Sequence, residues 1–186
     1  MSALTAHATP LVGLWELEPV AVGDARGRFM RLWCEAAMQR IAPGARVVQV
    51  NQSFNTERGT VRGLHFQRAP ALEGKLVRCL RGQVFDVAVD LRAGSNTYLH
   101  WHGVELCERG QRQLWIPPGF AHGFQTLSAD VEMLYLHSAA YSQPHEGGLR
   151  FDDPRLGIAW PLRPTQVSAR DRSHALLGDA FEACLA

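Results

Sequence analysis

The sequence predicts an all-β fold, a closed barrel or sandwich of the jelly-roll kind with a few short peripheral helices. Three observations carry that expectation. Seventeen glycines and ten prolines are spread along the whole chain, short runs rich in Val, Leu, Phe, Tyr and Trp lie between them, and helical periodicity is weak almost everywhere. Many short strands at near-regular spacing are what such a fold is built from. In chain order, residues 34–43 (CEAAMQRIAP) carry a helical period, closed by Pro43-Gly44. About seven strands follow, at 47–54, 63–68, 76–81, 83–91, 98–106, 113–116 and 131–137. The clearest is 83–91 (QVFDVAVDL), with Val87, Val89 and Leu91 on one face and Asp86, Ala88 and Asp90 on the other, a polar face that can line something wet. In 131–137 (VEMLYLH), Val131, Met133, Tyr135 and His137 alternate with Glu132, Leu134 and Leu136. A second helical stretch is expected in the tail after Ser173.

With 186 residues and no repeat, low-complexity tract or linker, one domain spanning 1–186 is expected. Hydrophobic residues at 46% and charged residues at 20% exclude a disordered chain. A formal charge of +1 provides no broad field for a nucleic-acid backbone or an anionic membrane, so neither is expected as a partner and any bound anion must meet a local cluster. Cys34, Cys79, Cys107 and Cys184 are scattered without a metal spacing and read as reduced thiols of a cytoplasmic protein. The N-terminus lacks a basic region followed by an apolar stretch, so neither export nor membrane insertion is expected. The five tryptophans are unevenly placed and read as core rather than a stacking platform.

Residues 60–68 (TVRGLHFQR) place Arg62 and His65 at odd spacing, hence on opposite faces of a regular strand; joint use requires a distortion, which Gly63 can supply. Lys75, taken singly, reads as a solvated lysine. In 115–124 (WIPPGFAHGF) a strand ends in Pro117-Pro118-Gly119 and delivers His122 among aromatics. The spacing P-x-G-x-x-H matches the second cupin motif, and Gly63, His65 and Glu73 match half of the first. Gln67 stands where a second histidine would complete H-x-H, and an amide is the poorer metal ligand. The result looks like a cupin barrel without its metal. His100 and His102 share a strand face but supply two ligands of an incomplete site.

Six segments taken together, GDARGRF, NQSFNTERGTVRGLHFQ, EGKLVRCLRGQVFDVAVDLR, RQLWIPPGFAHGFQTLS, EGGLRFDDPRLGIAWP and SARD, resemble the dTDP-4-dehydrorhamnose 3,5-epimerase family, in order from about Gly13 to Leu177. The resemblance implies a metal-free cupin-type jelly roll, a homodimer, no organic cofactor, and a deoxythymidine-diphosphate-linked 4-keto-6-deoxy sugar as substrate. It implies His65 as catalytic base with Asp171 as its carboxylate partner, Lys75 near the keto oxygen and Tyr135 as general acid. Contacts to the nucleotide sugar and its diphosphate fall on Arg26, Gln49, Asn51, Arg62 and His122, with Arg170 added. The chemistry is coherent, because a C4 ketone acidifies both flanking C–H bonds and epimerisation then needs a base, an enolate stabiliser and an acid. Departures from the family pattern are Arg28 for an apolar or aromatic residue, Arg31 for an acidic one, Leu136-His137 for the more usual Lys-Ala, Ala140 for an aromatic and Arg170 for a lysine. They bear on which nucleobase is bound and on which of C3 and C5 inverts. Two other readings stay open: a metal-dependent cupin enzyme on His65, Glu73 and His122, opposed by Gln67, and a non-catalytic sugar-binding cupin.

Overall fold

The computed structural model describes residues 4–178 and 181. The chain folds into two facing antiparallel sheets. Six strands form one of them, β1 (Leu4–Ala8), β2 (Trp15–Pro19), β5 (Gln49–Asn55), β7 (Lys75–Arg81), β10 (Gln113–Ile116) and β12 (Val131–His137), in the order β1-β2-β10-β7-β12-β5. Five form the other, β6 (Val61–Gln67), β8 (Gln83–Asp90), β9 (Trp101–Cys107), β11 (Phe120–Thr126) and β13 (Glu146–Gly148), in the order β13-β6-β11-β8-β9. From β5 to β12 the chain changes sheet at every connection except β8 to β9, which is the winding of a jelly roll. A separate hairpin, β3 (Val22–Asp24) with β4 (Gly27–Phe29), pairs only with itself among the described residues. The fold class is the one expected, mostly strand with short helices.

Apolar side chains explain the layering. Val77, Cys79, Leu114, Ile116, Val131 and Met133 from one sheet meet Val84, Ala88, Val104, Leu106, Phe120 and Phe124 from the other in a core between the sheets. The outer face of the five-stranded sheet, including Val87, Val89 and Leu91, is covered by Leu149, Leu156 and Leu177. Leu17, Leu76, Trp115 and Leu136, on the outer face of the six-stranded sheet, pack against Met38 and Ala45.

The strands expected at 113–116 and 131–137 run as read, and the other five match within a few residues at their ends. Six strands were not legible: β1 to β4, β11 and β13. In β11 all seven residues are buried, so the two-residue alternation that marks a half-buried strand disappears. The helix expected over 34–43 contracts to α1 (Glu35–Met38), continued as turns up to Pro43-Gly44. The second helix, α2 (Ala169–Ser173), precedes the expected tail rather than lying in it, and 174–178 are not helical; residues 179–180 and 182–186 of that expectation, with Cys184, lie outside the described residues. On the Asp86, Ala88, Asp90 face all three residues are fully buried, and Asp86 reaches a cleft only through His122. Asp90 instead accepts from Arg92, Ser95 and Thr97 and anchors the turn that leads into β9. His100 lies outside β9 and His102 pairs with Glu16 at 2.9 Å, so the two histidines form no chelating pair.

Candidate active site

The site grows from an irregularity in β6. On β11, His122 faces His65 and Phe124 faces Arg62, so two steps on one strand match three on the other. That extra residue reverses the alternation and brings Arg62 and His65 to one cavity, the distortion their spacing demanded. Gly63 supplies it: its φ is +121°, and a Cβ there would sit 2.6 Å from Gly123 Cα and 2.8 Å from the His122 carbonyl oxygen.

Asp171, on α2, reaches His65. The His65 Nε2–H donates to Asp171 Oδ1 at 2.7 Å, Ser168 caps α2 by accepting the Asp171 N–H, and the Gly63 N–H donates to the second carboxylate oxygen. Burial alone would raise the Asp171 pKa, but the His65 hydrogen bond and charge, with those of Gly63 and Ser168, hold it below the ordinary carboxylate value. An ionised partner fixes the proton on Nε2 and leaves Nδ1 as the basic nitrogen. His174 stands edge-on to His65, ring centroids 6.5 Å apart, and burial lowers its pKa.

Lys75 opens β7 and is not solvated: it is 8% exposed and pairs with Glu73 at 2.9 Å. On β12, the Tyr135 hydroxyl lies 2.9 Å from that of Ser53. Ser53 also accepts from Asn55, which accepts from Arg62 Nε, so the phenol and the guanidinium are tied into one network. Burial pushes the Tyr135 pKa well up, and the phenol keeps its proton at neutral pH. His122 bonds both oxygens of Asp86 at 3.0 Å, and full burial raises the Asp86 pKa against the pull of His122.

The structure thus gathers His65, Lys75, Tyr135, Arg62, His122 and Asn51 around one cleft of about 570 Å³. Gln49 lines an adjoining pocket of about 330 Å³. Arg170 and Asp171 line a third recess with Arg62 and His65, and the Arg170 guanidinium is engaged by Glu146. Arg26 is not gathered in. It sits on the β3–β4 hairpin, bound to Asp24, and lines a separate depression with Arg28, Phe29 and Arg31. Sequence reasoning missed Ser53, Asn55, Asp86, His137 and His174 as parts of the site. The alternation of 131–137 had placed His137 on the Tyr135 face, and that of 83–91 had set Asp86 on the face opposite Val87; nothing local marked the others.

A cupin-type metal would need His65, Glu73 and His122 turned to one point. Each has another partner here: Asp171 for His65, Lys75 and His137 for Glu73, and Asp86 for His122. Gln67 points elsewhere, donating to the Ala71 and Ala140 carbonyls and accepting the Ser142 N–H. Among the described residues, His65, Asp171 and His174 do bring potential ligand atoms within 4.8 Å of one another.

A family model described as dTDP-4-dehydrorhamnose 3,5-epimerase matches residues 8–179. The chain is 48% identical over 162 residues to the dTDP-4-dehydrorhamnose 3,5-epimerase of Sinorhizobium fredii, covering 87% of this chain and 83% of the relative. The crystal structure of the Legionella pneumophila dTDP-6-deoxy-D-glucose-3,5-epimerase in complex with dTDP-4-keto-L-rhamnose superposes with a TM-score of 0.89 at 39% identity, covering 94% of this chain and 93% of that one. The Bacillus anthracis dTDP-4-dehydrorhamnose 3,5-epimerase, with TDP and pyrophosphate bound, gives 0.90 at 37% identity, covering 94% and 100%.

Proposed function

The chain belongs to the dTDP-4-dehydrorhamnose 3,5-epimerase family, and from that premise we propose how its cavity epimerises a nucleotide-diphosphate-linked 4-keto-6-deoxy sugar of deoxysugar biosynthesis, dTDP-4-dehydro-6-deoxyglucose being the substrate that the family favours. The observation that carries the reading is a carboxylate-backed histidine sharing one cleft with a buried lysine and a protonated tyrosine. His65 Nδ1 removes the proton beside the C4 ketone, and Asp171 stabilises the imidazolium that forms. The Lys75 ammonium faces the keto oxygen, where it favours the enolate over the ketone and so lowers the barrier rather than merely binding substrate. Tyr135 returns a proton from the other face of the ring. Arg62 and His122, with Arg170 at the rim, take the diphosphate, the local cluster that the small net charge requires. Gln49 and Asn51 supply neutral hydrogen bonds to the nucleotide sugar.

No metal enters this scheme, and the ion-paired state of Glu73 supports that reading. The molecule works as a homodimer, which the apolar exposure of the β3–β4 hairpin supports: Phe29 is 70% and Val22 55% exposed. Cys34, Cys79 and Cys107 are free thiols, in keeping with a cytoplasmic location. The experiment is proton NMR of dTDP-4-dehydro-6-deoxyglucose with the enzyme in D2O. Deuterium wash-in at C3, at C5 or at both supports the reading and names the carbons, whereas a substrate unchanged after prolonged incubation overturns it.

A further inference from the structure

Behind Lys75 the cavity wall holds a histidine that the reaction as described does not use. Glu73 is shared. Its Oε1 accepts from Lys75 Nζ at 2.9 Å and its Oε2 accepts from His137 Nδ1 at 2.9 Å, with the three side chains only 9–11% exposed. On the far side of the ring, His137 Nε2 lies 3.3 Å from Asn51 Nδ2, while Asn51 Oδ1 accepts from Gln49. Asn51 therefore turns an N–H toward the ring, which makes Nε2 the acceptor and leaves the imidazole proton on Nδ1, aimed at Glu73. Tyr135 stacks on the ring at 6.2 Å with an interplanar angle of 28°. Strand pairing fixes the arrangement, because His137 stands opposite Lys75 in the register of β12 and β7.

A buried carboxylate beside an ammonium settles according to its second partner. With none, both oxygens can turn to the lysine, which takes two of the three ammonium N–H bonds and draws the ammonium toward the carboxylate. A second donor holds one oxygen aside, so that one ammonium N–H is used and two stay available. Burial would push Glu73 toward its neutral form, but the His137 hydrogen bond and the Lys75 charge outweigh it and hold its pKa below the ordinary value. The carboxylate therefore stays charged, and how it is shared decides where Lys75 points.

We infer that His137 is a positioning residue for Lys75: by holding Glu73 through Oε2 it keeps the Lys75 ammonium directed at the substrate keto oxygen. The inference rests on the proposed role of Lys75. It is also specific to this chain, whose Leu136-His137 departs from the family pattern.

The test uses steady-state deuterium wash-in into dTDP-4-dehydro-6-deoxyglucose, with thermal melts confirming that each variant is folded. His137→Ala is expected to lower kcat about tenfold with KM within about twofold, the size of effect carried by one hydrogen bond to a charged group. His137→Asn, whose side-chain amide places an N–H where Nδ1 stood, is expected to recover most of that loss. His137→Gln, whose amide matches Nε2 instead, is not. In a Glu73→Gln background there is no carboxylate to hold, and adding His137→Ala is expected to change kcat by less than about twofold. A raised KM with unchanged kcat in His137→Ala, equal behaviour of the Asn and Gln variants, or the same tenfold loss in the Glu73→Gln background would overturn the inference while leaving the epimerase reading intact. A wild-type enzyme that washes in no deuterium would overturn both.

Discussion

As the proposed base, His65 has a single ring nitrogen to work through, because Asp171 occupies the other. His65→Asn is therefore expected to leave a folded protein whose exchange at every sugar carbon has fallen by about 10² to 10⁴; exchange at the wild-type rate would remove His65 as the base. Tyr135 is separable from it. If the phenol only reprotonates, Tyr135→Phe still allows proton removal, but the enolate is reprotonated mainly from the side that lost its proton. NMR in D2O should then show more wash-in with retained configuration than epimer, whereas an unchanged ratio would reduce Tyr135 to packing. At this scale the sequence was informative where a residue's neighbours are local: the parity of Arg62 and His65 already showed that their joint use needs a distortion, which Gly63 can supply. It was silent where partners come from afar. Lys75 read as solvated because its cover, Glu73 and His137, is complete only once β12 has docked beside β7.

Among the elements, β6 turns on Gly63 and the connection from β8 to β9 on Asp90. Gly63→Ala would place a Cβ against backbone at a positive φ that alanine rarely adopts. A loss of about 3 kcal/mol is expected, seen as a melting temperature lower by roughly 6–12 °C, with activity falling further because Arg62 and His65 lose their common cavity. Asp90 is held to a pKa of about 2: burial raises it, but hydrogen bonds from Arg92, Ser95 and Thr97 prevail. A folded pKa below the unfolded value of about 3.9 means that its stabilisation is complete above that value and is lost as the pH falls toward 2. Asp90→Asn should thus narrow the stability difference between pH 6 and pH 3 in denaturant titrations; an unchanged difference would show that the turn does not depend on the charge. The alternation of β12 made it legible, while β11, covered on both sides, showed none. The bonds of Asp90 also show why the strand expected from residue 98 starts at Trp101: the preceding residues are tied into the turn.

Seen as a whole molecule, the sheets close around a core yet leave the β3–β4 hairpin outside them with Arg26 at its tip. If Arg26 contacts substrate, as the family resemblance implies, a second copy must present it. Mixing Arg26→Ala with His65→Asn subunits under exchange should then restore roughly a quarter of the wild-type activity, since half of the dimers are mixed and each has one intact site. Failure to restore any would confine Arg26 to its own chain. Dialysis against a chelator is expected to leave the rate unchanged, and a reversible loss repaired by one equivalent of a divalent ion would reinstate the metal-dependent reading. The fold class and the gathering of His65, Lys75, Tyr135, Arg62, His122 and Asn51 were readable because strand rhythm and motif residues survive in one dimension; the absence of Arg26 from the cleft was not, because it depends on where a hairpin is carried. Gln67, finally, joins the segment after β6 to the one after β12 through Ala71, Ala140 and Ser142. One amide side chain therefore bridges two loops that are far apart in sequence: the Ser142 backbone proton is expected to trade with solvent only when its bond to Gln67 opens, and Gln67→Ala is expected to speed that exchange.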